Sequence, residues 1–142
     1  MKEVKFTVEF MQPALANGCL EEDECKFPRT SDGKIVFQES WWYSAISATV
    51  LNLPDFEHIR PSDIHMDPEV DVETKMYTRK FNGTQERVHE CIPAGSKVTF
   101  SAMIGPHIPE EDFKAVMDRL GRFVGISPFG HRLGFGKFKL VS

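Results

Sequence analysis

The chain has no run of apolar residues approaching the roughly 18 that cross a bilayer. Met1-Lys2-Glu3 leads directly into alternating residues instead of a signal-type apolar segment. A cytoplasmic protein without a membrane partner is therefore expected. The three cysteines, Cys19, Cys25 and Cys91, show no CxxC spacing, so neither a zinc knuckle nor a disulfide framework is indicated, and free thiols are expected. His58, His65, His89, His107 and His131 are dispersed without HxxxH or HxH spacing, and no metal is called for. No GxSxG, P-loop or Rossmann fingerprint occurs, and no cofactor is implied. Carboxylate side chains are missing altogether from Arg119 to Ser142, a stretch that carries Arg119, Arg122, Arg132, Lys137 and Lys139.

What is present suffices for one core. A chain of 142 residues with 41% hydrophobic content can bury a single proper interior and is short for two, so residues 1–142 are read as one domain. A net charge of −4 argues against gripping nucleic acid through bulk electrostatics. The charge is unevenly spread: Asp55, Glu57, Asp63, Asp67, Glu69, Asp71 and Glu73 face only Arg60, whereas the C-terminal stretch is basic. That end can meet an anion, although a solvated helix face and a lysine-protected strand edge would leave the same pattern.

Glu3 to Phe10 alternates, with Val4, Phe6, Val8 and Phe10 on one face, and predicts a half-buried first strand. Turn residues and the acidic run Glu21 to Glu24 follow, up to about Lys34; Ile35-Val36-Phe37 then suits a short strand. Ser40 to Leu53 is predicted as a helix, with Ser40 as N-cap, Trp42, Ile46, Thr49, Val50 and Leu53 on its buried face, and Pro54 closing it. Asp55 to Pro68 has no clean period and is read as an irregular insertion. Val70 to Ile92 predicts a hairpin turning at Asn82-Gly83, and Lys97 to Ile104 another strand. Pro109 with Glu110, Glu111 and Asp112 opens a helix whose apolar residues Phe113, Val116, Met117, Leu120 and Phe123 or Val124 share one face. Phe135, Phe138, Leu140 and Val141 supply a last strand. This order is the ferredoxin-like, RRM-like βαββαβ plan of the α+β class, with insertions after strand 1 (13–39) and after helix 1 (55–69).

Between that last helix and the last strand lies Gly125-Ile-Ser-Pro-Phe-Gly-His-Arg-Leu-Gly-Phe-Gly-Lys137. Together with Pro93-Ala94-Gly95 leading into the strand to Ile104, and with the helix from Pro109 to Phe123, it resembles the C-terminal half of the RAMP proteins, the RNA-recognition-fold subunits of CRISPR effector complexes. The resemblance covers about a third of the chain. It implies a domain that contacts RNA through the glycine-rich segment. Two departures stand out: where backbone subunits carry Ile-Pro-Gly-Ser-Ser at the first helix, this chain has Ile35-Val-Phe-Gln-Glu-Ser40, and the acidic run Glu21-Glu22-Asp23-Glu24 is too generic to carry over target cleavage.

Physically, Gly130, Gly134 and Gly136 can present main-chain N–H groups to phosphate, while His131, Arg132, Lys137 and Arg122 add charge. The same glycines also suit a tight helix-to-strand connection that merely relieves packing. Trp41, Trp42 and Tyr43 offer faces on which bases stack, but helical spacing buries one tryptophan, expected to be Trp42, and leaves Trp41 for an interface. Two main readings follow: a non-catalytic RNA-binding module or subunit of a CRISPR-type ribonucleoprotein, and a phage-like RAMP mimic that docks on CRISPR effector proteins and inhibits them. A third, a metal-independent ribonuclease using His131, Tyr43 or His89, is chemically open, though nothing in the sequence links those residues. A homo-oligomer is compatible with all three.

Overall fold

A computed structural model describes every residue except 17, 20–23, 52, 82, 84 and 127–134. In chain order the elements are β1 (Lys2–Phe10), β2 (Ala14–Leu15), β3 (Gly18–Cys19), β4 (Glu24–Lys26), β5 (Ile35–Val36), α1 (Glu39–Val50), β6 (Ile64–Met66), β7 (Glu69–Val70), β8 (Lys75–Phe81), β9 (Gln85–Ile92), β10 (Lys97–Ile104), α2 (Glu110–Phe123) and β11 (Phe138–Leu140). The principal sheet is antiparallel in the order β11-β1-β10-β6. With α1 following β1 and α2 following β10, this is the ferredoxin-like arrangement.

The alternation in β1 dictates which face is buried. Val4, Phe6 and Val8 lie directly opposite Ala102, Phe100 and Val98 of β10, and all six are buried. Phe6 meets Phe113 of α2 edge-on at 5.5 Å, and Phe100 meets Trp42 of α1 at 5.0 Å. Burying side chains of this kind contributes about 1.5–3 kcal/mol each, so both helices are held to the same face. The opposite face carries Glu3, Lys5, Thr7 and Glu9 opposite Met103, Ser101, Thr99 and Lys97. It has no aromatic on these two central strands.

Several sequence expectations shift. The segment expected to be irregular supplies the fourth strand of this sheet: β6 pairs with β10 through Ile64↔Ile104 and Ala102↔Met66. The predicted hairpin forms as β8 and β9, but in a second sheet, where β9 also pairs with β2 and, in parallel, with β4. The larger insertion therefore follows β6, not α1. Asn82 of the expected turn lies outside the described residues, while Gly83 takes a φ of 77°. Gln38, not Ser40, caps α1, and no side chain closes the cap. The helix stops at Val50, short of Leu53. Trp42 is buried as expected. Cys25 is disulfide-bonded, correcting the expectation of free thiols; its backbone lies opposite Cys19 in the β3–β4 ladder, a proximity only pairing creates. Cys91 is a free, buried thiol.

Two buried polar residues organise the second sheet. Glu90 is 6% exposed; its carboxylate accepts hydrogen bonds from the Phe27 N–H at 2.9 Å and the Thr74 hydroxyl at 2.7 Å, and it pairs with Arg29. His89 is fully buried. Its Nδ1–H donates to the Ala16 carbonyl at 2.6 Å and its Nε2 accepts from the Arg79 Nε–H at 3.3 Å, which fixes one neutral tautomer. Burial pushes the imidazole below its ordinary pKa, outweighing the Ala16 hydrogen bond, and the nearby Arg79 and Arg87 charges push the same way.

Two predictions follow from these contacts. Gly→Ala inside a helix ordinarily gains about 1 kcal/mol, but a Cβ at Gly121 would stand 2.2 Å from Phe138 Cδ1 and 2.6 Å from the Phe138 carbonyl oxygen. Gly121→Ala is therefore expected to lose about 1–3 kcal/mol in urea denaturation; a gain would show that α2 and β11 do not touch this closely. Because His89 holds its proton less tightly folded than unfolded, its contribution to stability is fully present above the ordinary value of 6.5 and is lost as pH falls through the depressed folded value. Denaturation midpoints between about pH 7.5 and about pH 5 should fall more steeply for the wild type than for His89→Gln, and equal slopes would contradict a neutral buried imidazole.

Candidate functional site

The final turn of α2 shapes the entry to the glycine-rich segment. The Leu120 carbonyl accepts hydrogen bonds from the N–H groups of Val124 at 2.9 Å and Gly125 at 2.8 Å, and Gly125 takes a φ of 84°, the left-handed close of a helix. From there the Ile126 N–H reaches the Gly136 carbonyl at 3.1 Å, and the Gly136 N–H donates to the Pro13 carbonyl at 2.7 Å. The Lys137 carbonyl takes the N–H groups of Met11 at 2.8 Å and Gln12 at 3.2 Å. Both arms of the segment are thus joined at their base and tied to the turn after β1. Phe135 lies edge-on to Tyr77 of β8 at 5.5 Å, so the base also touches the second sheet.

Beside this base is a cleft of about 260 Å³ lined by Met11, Gln12, Arg122, Phe123 and Lys137. Arg122 Nε–H donates to Asp118 Oδ2 at 2.9 Å, and Asp118 Oδ1 accepts the Leu140 N–H at 3.3 Å. The carboxylate immediately before the basic stretch, one helical turn from Arg122, therefore orients Arg122 and offsets part of its charge. Arg119 lies over Phe123, its guanidinium carbon 5.2 Å from the ring centroid.

Of the residues singled out in the sequence, the structure brings Arg122 and Lys137 together in this cleft, while Gly136 is bonded through its backbone to Ile126 and Pro13 beside it. Gly130, His131, Arg132 and Gly134 lie outside the described residues. Trp41 is placed elsewhere: it packs on Phe37 at 5.5 Å and Phe27 at 6.2 Å, as a half-buried member of an aromatic cluster. Tyr43 is exposed, whereas His89 is buried with both nitrogens engaged and cannot exchange a proton with a substrate.

Sequence reasoning missed Met11, Gln12 and Phe123 as cleft residues, because Phe123 shares the apolar period of α2 and only burial tells it from Val124. It also missed a second cleft, of about 390 Å³, lined by Glu57, His58, Arg60, Asp63 and His107. There His58 Nε2 pairs with Asp112 Oδ2 at 3.0 Å and His107 Nε2 with Asp63 Oδ2 at 3.2 Å. Both partners are remote in sequence, and no local spacing signals them. Among the described residues no group of three or more His, Cys, Asp or Glu side chains is placed to hold a metal ion, and no helix is long and apolar enough to cross a membrane.

The strand order and the two helices on one face define a ferredoxin-like, RRM-like α+β domain. No family model and no curated protein matches the chain. Among solved structures it is similar to a chain of the "Cryo-EM structure of the Type III-B Cmr-beta bound to cognate target RNA", with a TM-score of 0.62 at 13% identity. The match covers 99% of this chain and 58% of that one, so this chain spans less than two thirds of its neighbour's length. At that identity the likeness is one of fold.

The left-handed Gly125 yields its own test. A Cβ there would meet the Phe135 carbonyl oxygen at 2.8 Å, whereas at Gly33, with a similar φ of 89°, nothing lies within 4 Å. Gly33→Ala should cost only the backbone penalty of about 1–2 kcal/mol, and Gly125→Ala distinctly more, as read by thermal denaturation. Equal losses would mean that the two arms of the segment are not in contact.

Proposed function

We propose that this domain is a non-catalytic RNA-binding module, alone or as a subunit of a CRISPR-type ribonucleoprotein, and that it meets RNA at the C-terminal end of α2. The observation that carries this reading is the fold likeness over 99% of the chain to a chain of an RNA-bound Type III-B complex. The local chemistry agrees: Arg122 and Lys137 line one cleft with Phe123, Arg119 lies over that ring, and Asp118 pairs with Arg122, at the base of the glycine-rich segment that resembles the RAMP loop. The two central strands present no aromatic on the open face of the sheet, so RRM-style stacking has no platform on them. Backbone contacts from cations at the helix end take its place.

One observation favours a second reading, docking on effector proteins as an inhibitory mimic. The N-terminal end of α2 gathers Glu110, Glu111 and Asp112, next to the cleft lined by Glu57 and Asp63, a surface that suits a basic protein better than RNA.

Fluorescence anisotropy with single-stranded RNA at graded salt separates the two. The wild type should bind with affinity that falls as salt rises, and Arg122→Gln with Lys137→Gln should weaken binding and flatten the slope of log K against log salt by about 0.7 per lost phosphate contact. Capture of effector proteins without RNA, with no RNA binding by the purified chain, would overturn the first reading in favour of the second. RNA cleavage by the purified chain, in the presence or absence of a divalent metal, would overturn the non-catalytic assignment.

A further inference from the structure

Among the described residues, the exposed aromatic side chains are Tyr43 and Phe123. Phe123 is 66% exposed although it ends a helix whose other large apolar residues are buried. Leaving that ring in water forgoes about 1.5–3 kcal/mol of burial, of which the Arg119 guanidinium over the ring returns only a part. The ring carries the Arg119 guanidinium and lines the same cleft as Met11, itself 51% exposed, Gln12, Arg122 and Lys137. At about 260 Å³ the cleft is smaller than the roughly 300–1,000 Å³ of drug-sized pockets, and it suits a single planar ring system.

Its electrostatics narrow the ligand further. The C-terminal dipole of α2 places partial negative charge beside Phe123, which suits the amino edge of a base. The cations lie around that point, where the phosphates flanking a base would run. Gln12 supplies one amide with both a donor and an acceptor. A protein partner would find Asp118 already engaged by Arg122 and by the Leu140 N–H, while among the described residues Arg119 and Lys137 are paired with no carboxylate.

We propose that Phe123 is the stacking platform for one unpaired RNA base, with Gln12 against the edge of the base and Arg122 and Lys137 on the adjoining phosphates. This rests on the RNA-binding reading and adds to it a base contact that phosphate binding alone does not require. The test is anisotropy with single-stranded RNA on wild type, Phe123→Leu and Phe123→Trp. Base–aromatic stacking is worth about 1–3 kcal/mol, so Phe123→Leu should weaken binding about 5- to 150-fold with the salt slope unchanged, and Phe123→Trp should restore it. RNA should also quench the added tryptophan emission in Phe123→Trp relative to wild type, while an RNA with abasic sites throughout should bind wild type and Phe123→Leu alike. The exposure of Phe123 keeps these variants folded, as circular dichroism would verify. If wild type binds RNA but Phe123→Leu binds as tightly and no added quenching occurs, the base seat is wrong and the RNA-binding reading stands. If wild type binds no RNA at low salt, both fall.

Discussion

Helix α2 lies on the last strand at the one point where a side chain is missing. Gly121 faces the ring and carbonyl oxygen of Phe138 so closely that even a methyl group has no room. That approach lets β11 take the outer place beside β1, with Phe10 opposite Phe138. It also sets where α2 ends relative to the Lys137 backbone. The junction of Gly125, Ile126 and Gly136 and the cleft beneath Phe123 are downstream of it. A fuller residue at 121 would push the helix off the strand and pull the two walls of the cleft apart.

The parts of the fold legible in the sequence were those with long, regular periods. β1 alternates over nine residues and α2 keeps its stripe over fourteen, enough for burial to be deduced from pattern alone. β6 was not legible, because three residues, Ile64–Met66, cannot display a period and two proline-led turns precede them. The hairpin from Lys75 to Ile92 was legible as a hairpin but not in its allegiance, since alternation says which side chains are buried and not which neighbouring strand lies alongside. The site divides in the same way. Charge distribution pointed to Arg122 and Lys137, whereas Phe123 looked like core until the turn at Val124 and Gly125 carried the chain away beneath it.

The two ends of α2 are chemically opposite. Its first turn holds Glu110, Glu111 and Asp112, and its last holds Arg122, each sign complementing the helix dipole at its own end. Fourteen residues at about 1.5 Å each set these ends about 20 Å apart, beyond the screening length of physiological salt. The histidine–carboxylate cleft and the cationic cleft therefore present separate fields, and an overall charge of −4 does not describe either surface.

Glu90 gives the inserted segments a shared fate. One carboxylate of β9, shielded from water, is bonded to the backbone at Phe27, to Arg29 and to the hydroxyl of Thr74, groups that reach it from both sides of α1 in the chain. A shielded negative charge stripped of such partners costs several kcal/mol, so peeling the 24–36 region away alone strands the carboxylate on the hairpin, and peeling the hairpin away alone leaves Arg29 and the Phe27 N–H without their acceptor. The hairpin and the 24–36 region are thus coupled through one side chain, and the loss of either removes a partner on which the other's buried polar groups depend.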